Sequence, residues 1–108
     1  MINTKSLVPA VIVVKPASTA KADIETIAKQ VAQITTACVP KQIVVEDIIV
    51  TFQGIKDVTK RVMSLLEHKE IKALLIYSPK QIATCEQEYI EFVADMKSWY
   101  GIKVVNYR

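Results

Sequence analysis

Apolar residues recur along this chain in two rhythms. "LVPAVIVV" (7–14), "QIVVEDIIV" (42–50), "IKALLIYS" (71–78) and "IKVVNY" (102–107) are short, β-branched runs, the pattern of strands. Between them the apolar positions spread to helical spacing. Ile24, Ile27, Ala28, Val31 and Ile34 form one stripe, and Ile55, Val58, Val62, Leu65 and Leu66 form a second. Ile82, Cys85, Tyr89, Phe92, Val93, Met96 and Tyr100 form a third, on what reads as the longest helix, 81–100. Pro16, Pro40 and Pro79 punctuate the elements, and Gly101 suits the left-handed residue that closes a helix.

Strand and helix therefore alternate from end to end. That order predicts one α/β domain over residues 1–108, three layers deep, with a mostly parallel four-stranded sheet and helices on both faces. "AVIVV" and "ALLIY" are the most continuously apolar segments, so the first and third strands should be the central ones. Ligands of open parallel sheets bind beyond the carboxyl ends of the strands, near a switch in strand order. Those ends are 15–19, 47–54 and 78–84.

Composition narrows the class. Apolar residues make up 51% and charged residues 23%, and no apolar run is long enough to span a bilayer. "MINTKSLVPA" lacks the apolar core and cleavage site of a secretory signal. Cys38 and Cys85 stand 47 positions apart, outside any pairing or CxxC pattern, so a cytoplasmic protein with two reduced thiols is expected. The net charge of +3 comes from scattered lysines rather than a basic block. Only Arg61 and Arg108 are arginines, a scarcity that matters below.

Several kinds of chemistry are excluded. With Gly54 and Gly101 alone, no glycine loop can wrap a pyrophosphate, which removes the dinucleotide and P-loop readings. His68 is the sole histidine and lies at the end of the second helix, a surface position far from a metal set or a serine–histidine–aspartate triad. No cofactor is implied. "VVKPAST" (13–19) delivers Ser18 to the carboxyl end of the first strand. There it is either an activated nucleophile or the cap that satisfies an orphan N–H at the start of the next helix.

Three stretches carry a resemblance: "VVKPASTAKADIETIAKQVAQI", "VVEDIIVTFQGIKDVTKRVMSLLEHKEIKALLIYSPKQIA" and "EFVADMKSWYGIKVV". In order and spacing they resemble the catalytic domain of the resolvase/invertase family of serine recombinases, which is N-terminal in that family. Ser18 and Thr19 fall on the family's nucleophilic serine and the threonine after it. Asp47 falls near the acidic residue that follows strand two, and "LLIYS" matches the strand before the arginine motif. The resemblance implies DNA strand cleavage and exchange in mobile elements, on a resolvase-like sheet of flavodoxin-like topology.

The departures fall on the groups that chemistry needs. Pro16 stands where the family has an arginine, and Ile27 stands at a glutamine position. Asp57-Val58 replaces an Asp-Arg pair, and Lys80-Gln81-Ile82-Ala83-Thr84 replaces "D-R-L-x-R". A serine attacking a phosphodiester drives charge onto the non-bridging oxygens, which arginine forks neutralise. Lys15 and Lys80, with Thr19, are left as candidate phosphate contacts, offering point charges only. The expectation is a catalytically inactive recombinase-like domain kept for binding or assembly, with a protein partner or as a homo-oligomer. In the family a long dimerisation helix and a DNA-binding region would follow the fourth strand, so specific DNA binding by this chain alone is not expected. The competing reading is an active recombinase using Ser18, with a partner completing the site. A flavin- or nucleotide-binding module is the third, and the glycine-poor loops argue against it.

Overall fold

A computed structural model of the chain describes residues 8–16 and 20–107. Strands β1 (Val8–Val14), β2 (Ile43–Val50), β3 (Ala73–Ile76) and β4 (Lys103–Asn106) form one sheet in the order β2-β1-β3-β4, every pair parallel. Helices α1 (Lys21–Cys38), α2 (Ile55–Leu66) and α3 (Glu86–Tyr100) make the crossovers. The expected architecture is present, with β1 and β3 in the centre. Ala10, Val11, Ile12, Val13 and Val14 are each 0% exposed, as a strand covered on both faces requires.

Alternation along β1 divides the core in two. Val11 and Val13 pack with Val58 and Val62 of α2, and with Phe92 and Met96 of α3. Ala10, Ile12 and Val14 pack with Ile27, Ile34 and Cys38 of α1. One helix covers one face, therefore, and two cover the other. Between Ala10 and Val11 the pairing with β2 skips one residue, Glu46, a bulge that resets the register before the carboxyl end.

Two expectations about the helices need correction. The longest helix is α1, with 18 residues, and α3 has 15. Pro79–Gln81 forms a single 3-10 turn, and α3 begins only after Cys85, an exposed residue at its N-cap. The reason is local: Thr84 donates its backbone N–H to Glu88 Oε1 (2.9 Å), which sets the helix start there. On α1, Ile24 is 48% exposed and Ala28 is also exposed, so the stripe that meets the sheet runs through Ile27, Ile34 and Cys38. Gly101 closes α3 at φ 66°, and Ile102 N–H returns to Met96 O.

Candidate functional site

After β2 the chain reverses its direction across the sheet, so the connections leaving β1 and β3 diverge. The switch point is the gap between their carboxyl ends. A groove of about 650 Å³ opens at this edge, lined by residues that include Lys15, Gln53, Lys56, Lys80, Gln81 and Glu88. The structure thus brings Lys15 and Lys80 together at one site. Ser18 and Thr19, the residues between Lys15 and α1 on which the nucleophile question turns, lie outside the described residues.

The loops around the groove are held by polar contacts. Thr51, just past β2, is 0% exposed. Its hydroxyl donates to Asp57 Oδ2 at 2.6 Å and accepts the N–H groups of Gln53 (3.2 Å) and Gly54 (3.3 Å). That one side chain ties the end of β2 to the first turn of α2. Gly54 sits at φ 92°, and a Cβ placed there would meet Ile82 O at 2.8 Å. The loop after β2 therefore rests directly on the loop after β3, and only glycine lets it do so.

Gln81 spans the switch point itself. Its Nε2 donates to Gln30 Oε1 of α1 (3.0 Å) and to Lys15 O at the end of β1 (3.4 Å). Its Oε1 is buried with no hydrogen-bond partner among the described residues. The amide thus works as a brace between three segments. Sequence reasoning pointed to the strand ends 47–54 and 78–84, which hold Gln53 and Gln81, without giving either residue a role, and it did not find Lys56. The place of Gln53 and Lys56 at the groove depends on how the loop after β2 folds back, which no local pattern encodes.

Electrostatically the groove is cationic. Lys15, Lys56 and Lys80 meet one carboxylate, Glu88, which is engaged at the start of α3. None of the three lysines has an ion-pair partner among the described residues. Arg61 is the sole arginine among the described residues, and it is occupied elsewhere: Nη1 donates to Val50 O (2.8 Å) and Nε lies 3.4 Å from Asp57. Asp47 is also remote from the switch point. It lies within β2, beside Arg61 and Ser64, pairs with Lys69 at 3.6 Å and accepts the N–H of Ile48.

The remaining candidates carry less. His68 is exposed beyond the end of α2. Burial pushes the Cys38 thiol above its ordinary pKa, with Lys41 pulling weakly the other way. No group of three metal-binding side chains comes together among the described residues, and none of the described helices is long and apolar enough to cross a membrane.

No protein-family model and no curated protein matches the chain. Among solved structures it is similar to the C-terminal catalytic domain of ISC1926 TnpA, an IS607-like serine recombinase. The TM-score is 0.68 at 21% identity, over 94% of this chain and 70% of that one. The chain has the fold of a serine-recombinase catalytic domain.

Proposed function

We propose that this chain is a serine-recombinase-like domain that does not cleave DNA and acts by binding or assembly in DNA recombination or mobile-element transactions. One observation carries the reading: where the family's arginine motif falls, this chain has Lys80 and the amide of Gln81, and that amide is spent bracing Gln30 and Lys15. Losing one preorganised donor at a developing oxyanion costs about 10²–10³ in rate, and here several family positions have lost theirs. The one described guanidinium is committed to Asp57 and Val50 O. The structural likeness supports serine recombinases broadly, and the order of motifs favours the resolvase/invertase branch.

What remains at the groove is three ammonium groups without ion-pair partners among the described residues. Three phosphate contacts would give a salt slope near −2.7 in log–log form, roughly a fortyfold loss of DNA affinity between 50 and 200 mM salt. Supercoiled plasmid tests the reading. The protein binds it weakly, with that salt dependence and without sequence preference, and leaves it supercoiled. Relaxation or nicking abolished by Ser18→Ala would favour the active-enzyme reading, in which a partner supplies the missing cations.

A further inference from the structure

All four strands end at one edge of the sheet, and the residues that follow them there are cations and aromatics. Lys15 comes directly after β1, and Tyr77 directly after β3, with Lys80 three positions on. Tyr107 comes directly after β4. Phe52 stands in the loop after β2, just ahead of Lys56 in the first turn of α2. In the order β2-β1-β3-β4 the three lysines of the groove are therefore flanked by rings on both sides. The chain's other four aromatic side chains all belong to α3.

The flanking rings are held out rather than packed away. Phe52 is 50% exposed, although Thr51 before it is buried. The bonds from Gln53 and Gly54 to the Thr51 hydroxyl fix the turn that carries it. Tyr107 is 44% exposed, and its N–H donates to Ile76 O (2.7 Å), which anchors it at the end of β3. Its ring stacks on Tyr77, with centroids 5.6 Å apart and planes 21° from parallel. A ring stacked on one face keeps the other for a further planar group.

Cations with open rings beside them suit a single strand better than a duplex. Lysines neutralise the phosphates of either, but an aromatic ring can stack only on a base whose own face is free. With strands about 4.8 Å apart, the row from β2 to β4 is about 14 Å long, the rise of about four stacked nucleotides. We propose that this edge prefers single-stranded DNA, with phosphates on Lys15, Lys56 and Lys80 and unpaired bases stacked on Phe52 and Tyr107. This preference rests on the groove being the DNA-phosphate site proposed above.

Fluorescence anisotropy with one labelled, mixed-sequence oligonucleotide, alone and annealed to its complement, tests it. The single strand binds about tenfold more tightly than the duplex, with a salt slope near −2.1 rather than −2.7. Tyr107→Ala and Phe52→Ala each weaken the single strand by about tenfold and leave the duplex unchanged, whereas Tyr107→Phe binds as wild type. Lys80→Gln weakens both forms and flattens both slopes by about one phosphate contact. Trp99→Phe changes neither, although that ring is 76% exposed, because α3 starts at the carboxyl edge and Trp99 lies at its far end. Circular dichroism verifies that every variant is folded. Equal affinity for the two forms, or a single strand indifferent to both Tyr107→Ala and Phe52→Ala, overturns the preference and leaves the DNA-phosphate reading standing. Failure of both forms to bind overturns the two together.

Discussion

Thr51→Val isolates the contact that shapes the loop after β2. The substitution keeps the volume of a residue that is 0% exposed, so no cavity opens and the loss is polar. The hydroxyl donates to a carboxylate at 2.6 Å, a charge-assisted bond worth about 1.5–3 kcal/mol. Its two accepted bonds, at 3.2 and 3.3 Å, are long and count for less, but the Gly54 contact is buried and its N–H loses that partner. An orphaned buried donor costs about 1–3 kcal/mol. These effects overlap, because the loop relaxes once rather than three times. The expected loss is about 3 kcal/mol, a large fraction of the roughly 5–15 kcal/mol by which domains are stable. Urea unfolding followed by circular dichroism measures it. Asp57→Asn, which can still accept the hydroxyl but loses charge assistance and the Arg61 pair, costs about half as much. A Thr51→Val protein within about 1 kcal/mol of wild type would refute the idea that this hydroxyl organises the loop.

Leu75→Asp places an unpaired carboxylate in β3 at a side chain only 6% exposed and leaves the domain unfolded, whereas Lys97→Ala on the exposed side of α3 melts with wild type; equal melting of all three would sink the core assignment. Gly54→Ala drives a Cβ to 2.8 Å from Ile82 O at φ 92° and lowers stability by about 2 kcal/mol or more, so an unchanged melting temperature would contradict the loop-on-loop contact. In native protein a thiol reagent titrates the exposed Cys85 at once, and Cys38 only as the chain unfolds, because Cys38 is buried and that burial raises its pKa. Equal rates for the two would count against the packing of α1.

Much of the fold was legible in the sequence, and the reasons are physical. β1 and β3 announce their central place because a strand buried on both faces has no polar positions to alternate with, as the 0% exposure of Ala10 to Val14 shows. The stripe of α2 was readable because Val58 and Val62 lie inside one narrow core-facing arc. The start of α3 was not, since "PKQIATC" has helical spacing, and its break depends on Glu88 reaching back to Thr84. Ile24 misled for a related reason: one helix covers this face of a four-stranded sheet, and its first turns overhang the core. At the site, Lys15 and Lys80 were found because both follow central strands. Gln53 lies in the flagged end of β2, but its place in the groove beside Lys56 of α2 depends on a loop that folds inward on Thr51 and Gly54, a tertiary fact with no local signature. Asp47 matches, by motif order, an acidic residue that follows strand two in the family, yet it lies within β2, as the run 42–50 itself implied, and it pairs with Lys69 away from the switch point.

The central proposal is that a chain with the fold of a serine-recombinase catalytic domain does not cleave DNA. Intact mass measurement after incubation with a nicked DNA duplex tests it directly. Cleavage would join Ser18 Oγ to phosphorus, release the deoxyribose oxygen as a hydroxyl and trap an oligonucleotide on the protein. The account predicts the unmodified mass for wild type and for Ser18→Ala alike. A wild-type species heavier by one oligonucleotide fragment, absent from Ser18→Ala, would contradict it.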